Sequence, residues 1–120
     1  IVYADPMRIE CRTRAHLRPG FPLEIDGRAP SLGGIEIAVQ AMALHAALQE
    51  PDPQPKPGRL ASLSEIEVVR DRLDDRPGAL RIDATLEHAS TRGSAYRFSV
   101  ARGDDVLIRG RALLVRVDAP

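Results

Sequence analysis

The chain has 120 residues, 17 basic against 17 acidic side chains, 43% apolar residues, 3% aromatics and no tryptophan. That length holds one domain, 1–120, around a single aliphatic core, and zero net charge argues against a nucleic-acid binder, whose basic footprint would dominate a protein this small. Lone Cys11 excludes an internal disulfide and, with three scattered histidines, a zinc cluster; no cofactor or metal is called for, and a reducing, cytoplasmic setting is expected.

No apolar run reaches the ~18 residues of a membrane span, and the start has no basic-then-apolar signal pattern. The chain begins at Ile1, not Met, which leaves open a preceding N-terminal piece. From Met7 to Arg18 the residues alternate cleanly. Met7, Ile9, Cys11, Thr13, Ala15 and Leu17 share one face and the charged residues the other, which predicts a half-buried strand with His16 on the solvated side. Gly20 to Gly34 is rich in turn residues and leads into a helix over Ile35 to Gln49, capped by Ser31 or a glycine. Glu36, Gln40 and His45 are its only polar interior residues, so it is expected to be buried all round. Pro51, Pro53, Pro55 and Pro57 then predict a stiff extended connector. Four strands follow, over Arg59–Arg70, Ala79–His88, Ser94–Arg102 and Asp105–Asp118, joined by turns of antiparallel type. A strand, one buried helix and four more strands predict an α+β fold of the hotdog kind, an antiparallel sheet wrapped around a helix. The unpaired edge of such a sheet favours a dimer.

Glu36 falls in the first turn of the helix, where the helix dipole favours a carboxylate by about 0.3–1 kcal/mol. Gly33 and Gly34 precede it and would leave backbone N–H groups open to an incoming carbonyl oxygen. Gln40, one turn on, either holds that carboxylate or satisfies a buried backbone group. His45 lies about 180° away from Glu36 round the helix and is read as a packing or loop-bonding histidine, and His88 as a boundary histidine at a strand end. No nucleophile elbow, phosphate loop or metal spacing is present.

The stretch from Phe21 to Gln40 resembles the signature of the β-hydroxyacyl-acyl carrier protein dehydratases, above all the hotdog subfamily found with aryl polyene and related pathways. Asp26-Gly27-Arg28, Pro30, Gly34-Ile35-Glu36 and Gln40-Ala41 stand at the matching places, and the likeness continues through Met42-Ala43-Leu44-His45, Leu60-Ala61-Ser62 and Arg72-Leu73-Asp74-Asp75. The resemblance implies a 3-hydroxyacyl thioester on acyl carrier protein or coenzyme A as substrate. It implies a His that takes the C2 proton, a Glu from the facing subunit that assists loss of the hydroxyl, and helix-start N–H groups that bind the thioester carbonyl. Glu36 then stands as the acid, with Gly33, Gly34, Gln40 and Phe21 around the substrate. Phe21 occupies the place of the family His, and Phe moves no proton. The first expectation is therefore a dehydratase-like subunit of fatty acid, aryl polyene or polyketide-type biosynthesis that pairs with a His-bearing homologue. A self-sufficient dehydratase or thioesterase, and a non-catalytic acyl or carrier-protein binder, are the alternatives. Arg18 and Arg28 are candidates to steer an acidic carrier protein, against the simpler reading of surface arginines.

Overall fold

Period-two patterning builds the sheet, and the one apolar helix lies across it. The structure is a computed structural model and describes residues 1–17, 22–23, 25, 28–49, 58–75 and 77–116. Phe21, Arg18, Asp26-Gly27 and the four expected connector prolines lie outside the described residues.

The elements run β1 (Tyr3–Ala4), β2 (Arg8–Thr13), a 3-10 turn (Ala15–Leu17), α1 (Gly33–Gln49), β3 (Gly58–Val68), β4 (Leu80–Ala89), β5 (Gly93–Arg102) and β6 (Asp105–Arg116). The six strands form one sheet of order β1-β2-β4-β5-β6-β3, antiparallel throughout. Alternate residues of β4 and β5 point to the core: Leu80, Ile82, Ala84, Tyr96, Phe98 and Val100 are all buried beside α1. Each large apolar side chain so buried stabilises by about 1.5–3 kcal/mol.

β2 is shorter than the alternation from Met7 to Arg18 suggests. It stops at Thr13, whose Oγ1 accepts the N–H of Ala15 at 3.1 Å, and Leu17 N–H then bonds Arg14 O at 3.0 Å. That hydroxyl-backbone turn reverses the pattern, so His16 is buried instead of solvated, at 3% exposure. At the other end Met7 precedes the ladder and is exposed.

The helix begins at Gly33, two residues earlier than expected. Ser31 does not cap it, since its buried Oγ has no partner. The entry is instead a run of tight backbone bonds: Gly33 N–H to Pro30 O at 2.9 Å, Gly34 N–H to Ser31 O at 2.8 Å and Ile35 N–H to Leu32 O at 3.1 Å. Nor is the helix buried all round. Gly34, Ala38, Ala41, Met42 and His45 face the sheet, whereas Glu36, Gln40, Leu44 and Leu48 form an exposed stripe on the side away from it. This chain's own sheet covers only one side of an apolar helix.

The β3 edge is irregular. Register shifts fall between Leu60 and Ser62 and between Ser64 and Glu67, and Glu65 takes a φ of 53°, the left-handed region. This bulge carries Ile66 inward over Gly110, where a Cβ would overlap Ile66 Cδ1 and stand 3.3 Å from Phe98 Cζ. Gly110→Ala is therefore expected to lower stability by about 1–3 kcal/mol. Adding Ile66→Val, which removes the offending methyl, should return part of that loss. Denaturant midpoints at constant m-value check both, and no recovery in the double variant would place the strain elsewhere.

Candidate functional site

The helix start is built by three segments. Chain 28–31 runs antiparallel to 71–74, with a bridge between Pro30 and Arg72. Ser31 N–H bonds Asp71 O at 2.8 Å and Leu73 N–H bonds Ala29 O at 2.7 Å. Arg102, from the end of β5, anchors this clamp by donating to Leu73 O at 3.0 Å and to Asp75 at 2.9 Å. Arg72 donates from Nε to Asp74 at 3.0 Å. Burial works against the Asp74 carboxylate, but the Arg72 guanidinium and the Ala29 N–H outweigh it and hold the carboxyl below its usual value. Sequence reasoning did not give 71–75 this role; its only signal was that Arg72-Leu73-Asp74-Asp75 belonged to the family likeness.

Glu36 is exposed on the open side of the first helical turn. Gln40, exposed one turn on, donates from Nε2 to Glu36 Oε1 at 3.5 Å, a long bond. Gly33 and Gly34 stand at the helix start, but their N–H groups already bond Pro30 and Ser31 carbonyls. Gly34 is also explained by packing: a Cβ there would lie 3.0 Å from Ile108 Cγ2 and 3.4 Å from Val100 Cγ2. The glycine allows the helix to seat on β5 and β6. A ligand oxygen at these amides would share or displace existing bonds. Phe21, the remaining candidate, lies outside the described residues.

The three histidines stand apart from Glu36. His45 is fully buried; its Nε2 is 2.8 Å from Asp5 O and its Nδ1 is 2.7 Å from the Tyr96 hydroxyl. A carbonyl only accepts, so Nε2 carries the proton and Nδ1 accepts from Tyr96. Burial pushes the Tyr96 phenol up to about 12, which keeps it a donor. The loop-bonding reading of His45 thus holds. His88 is exposed beyond a bulge between Leu86 and His88. It lies six residues along β4 from Ile82, whose partner Val100 underlies Gly34, or about 20 Å from the helix start. His16 is buried, and the backbone of Gly78 is the polar group that favours its protonated ring.

Beside the clamp, Ile25, Arg28, Pro30, Asp71 and Arg72 line an open groove of about 490 Å³. Its two cations face a carboxylate, so it is not a strongly charged anion site. Arg28 is exposed there, as the surface reading expects. Among the described residues no three of His, Cys, Asp and Glu converge as metal ligands, and no helix is long and apolar enough to cross a membrane.

No family model matches the chain, and no curated protein matches it in sequence. Solved structures do match it in shape. The Dehydratase Heterocomplex ApeI:P from Xenorhabdus doucetiae aligns at a TM-score of 0.84 and 17% identity, over 98% of this chain and 80% of that one. The thioesterase HI1161 from Haemophilus influenzae aligns at 0.73 and 13% identity, over 98% and 77%. The protein smu.793 from Streptococcus mutans UA159, bound to acetyl CoA, aligns at 0.71 and 11% identity, over 98% and 86%. At these identities the likeness is one of fold, and the helix-on-sheet architecture is the hotdog arrangement.

Proposed function

We propose that the chain is a dehydratase-like hotdog subunit that supplies Glu36 to a site completed by a His-bearing partner of the same fold. The substrate is a 3-hydroxyacyl thioester carried by acyl carrier protein or coenzyme A, in fatty acid, aryl polyene or polyketide-type biosynthesis. The partner's imidazole takes the C2 proton. Glu36 protonates the departing hydroxyl, and water and the 2,3-unsaturated thioester leave. One observation carries the reading: each histidine of the chain is locked, buried or distant, while Glu36 is open to an incoming surface. An acid without a base needs the base from outside. The similarity in fold to a dehydratase heterocomplex supports a heteromeric site.

A partner also has apolar surface to cover. Leu44 and Leu48 are exposed on the helix, and Leu60, Leu63 and Val68 on the β3 edge. The β3 residues pair with Leu114, Ala112 and Ile108, so they share the helix side of the sheet. An open edge beside an apolar row suits pairing with a second hotdog subunit, homologous or identical.

The purified chain alone should not dehydrate a 3-hydroxyacyl-carrier protein, and adding a His-bearing homologue should start turnover. Phe21→His is expected to give the chain slow turnover without a partner; a folded, inactive variant would count against simple loss of the base. The second reading is a thioesterase, favoured by the thioesterases of like fold and by a chemistry in which a carboxylate directs water without a histidine. Release of free thiol from an acyl thioester by the chain alone, lost in Glu36→Gln, would replace the first reading with this one.

A further inference from the structure

Arg102 closes β5, yet its side chain is only 10% exposed. A guanidinium withdrawn from water needs acceptors for its donors, and two of them lie on another segment. Nη1 donates to Leu73 O at 3.0 Å and Nη2 to Asp75 Oδ1 at 2.9 Å, so one planar fork holds two residues of the clamp. Its stem is held as well: a Cβ on Gly78 would lie 3.4 Å from Arg102 Cδ and 3.5 Å from Cγ. Leu73, fully buried, is the next link. A Cβ on Gly33 would lie 3.8 Å from Leu73 Cδ1, and one on Gly34 3.6 Å from Leu73 Cδ2, so this leucine rests against the helix start. Backbone bonds join the same two segments: Leu73 N–H to Ala29 O at 2.7 Å and Ser31 N–H to Asp71 O at 2.8 Å. Gly33, Gly34 and Glu36 share the first turn of α1. Each step from Arg102 to that turn is a direct contact.

We propose that Arg102 is a positioning residue for Glu36. It acts through the clamp and not on the substrate. By holding Leu73 O and Asp75 it fixes where segment 71–75 stands, and through Leu73 that segment fixes where the first turn of α1 stands on the sheet. This role rests on the dehydratase reading, in which Glu36 protonates the departing hydroxyl. An acid works only within about 2.6–3.2 Å of the atom it serves. A shift of about 1 Å caused by a change far from the chemistry can cost about 10²-fold in rate.

A role confined to stability would lower the amount of folded protein and leave the turnover of each folded molecule unchanged. A positioning role differs in two ways. The loss falls on kcat more than on KM, because the acid is needed in the transition state and not to bind substrate. The loss also depends on Glu36: once the acid is gone, its position no longer matters, so the two changes are not additive. The fork explains why the residue is arginine. Lysine brings a point charge that reaches one acceptor well, whereas the guanidinium holds a carbonyl and a carboxylate together.

The test is turnover of a 3-hydroxyacyl-carrier protein by the mixed assembly of this chain and a His-bearing homologue, with rates expressed per folded assembly. Arg102→Met keeps the stem and removes the fork. It should lower kcat by about 10–100-fold with KM within about twofold, and Arg102→Lys should recover part of the loss. Placed on Glu36→Gln, Arg102→Met should cost less than about twofold more. An unchanged kcat, a loss confined to KM, or an equal further loss on top of Glu36→Gln each overturns the positioning role. Should Arg102→Met not fold, Asp75→Asn takes its place; it leaves the fork but weakens one charge-assisted bond at a part-exposed carboxylate. Its kcat should fall by about twofold or more, also only while Glu36 is present, and no fall overturns the role. If the natural assembly is inactive, or Glu36→Gln leaves its turnover unchanged, the Glu36 reading fails and takes this role with it. If Glu36→Gln is slow and Arg102→Met is not, the positioning role alone fails.

Discussion

Glu36→Gln is expected to cut dehydration by a mixed assembly of this chain and a His-bearing homologue by about 10²–10⁴-fold, the usual contribution of a positioned general acid. The fold should survive. Glu36 is exposed and its one hydrogen bond, from Gln40, is 3.5 Å long. Glutamine keeps the shape and gives up only the charge at the helix start, about 0.3–1 kcal/mol. Assembly should survive too, because the exposed apolar residues of the proposed partner surface, Leu44, Leu48, Leu60, Leu63 and Val68, are untouched. The measurement is turnover of a 3-hydroxyacyl-carrier protein thioester, with complex formation followed separately by sedimentation. A complex that forms normally and turns over tenfold or more slowly fits an acid at Glu36. A complex with unchanged turnover would remove Glu36 from the chemistry and leave the binding-module reading. Loss of the complex itself would make Glu36 an interface residue.

The parts of the fold legible in the sequence are those in which a residue's neighbours lie on the same chain. Period-two alternation along β4 and β5 matches burial beside α1 at Ile82, Ala84, Phe98 and Val100. The helix stripe from Glu36 to Leu48 was not legible, because an apolar residue covered by its own sheet and one left exposed look the same in a sequence. Local side-chain chemistry hid other features. The Thr13 hydroxyl ended β2 where alternation still ran on, and thereby moved His16 from solvent to interior. β1 spans only Tyr3–Ala4, too short to show a period. Gly33 and Gly34 carried two meanings at once, approach of a ligand and approach of a sheet; the contacts with Val100 and Ile108 account for Gly34 by the second. Segment 71–75 had no periodic signal, since its role is made by backbone bonds to Ala29 and Ser31.

His45→Leu is expected to lower stability by about 2–4 kcal/mol, although leucine fills much of the same space. The imidazole serves the buried Tyr96 hydroxyl and the part-buried Asp5 carbonyl, and an orphaned buried group costs about 1–3 kcal/mol. Its Nε2 proton satisfies Asp5 O at 2.8 Å, tying the turn between β1 and β2 to the helix. Its Nδ1 accepts the Tyr96 hydroxyl at 2.7 Å, tying the helix to β5. For a chain of this size the melting temperature should fall by on the order of 10 °C, compared at fixed protein concentration because association would shift it. Tyr96→Phe alone strands only Nδ1 and should cost about 1–2 kcal/mol. The informative variant is the double one. With Tyr96→Phe present, His45→Leu no longer strands a phenol, so the pair should cost less than the sum of the singles by about 1 kcal/mol. Strict additivity would mean that the two rings do not share a hydrogen bond. Limited proteolysis separates the other half of the bridge. His45→Leu should expose the chain before Arg8 to cleavage, because Asp5 has lost its donor, whereas Tyr96→Phe should leave it protected. Equal susceptibility in both variants would show that the N-terminal turn is held by its own Asp5 contacts with Met7 and Arg8 and not by the helix.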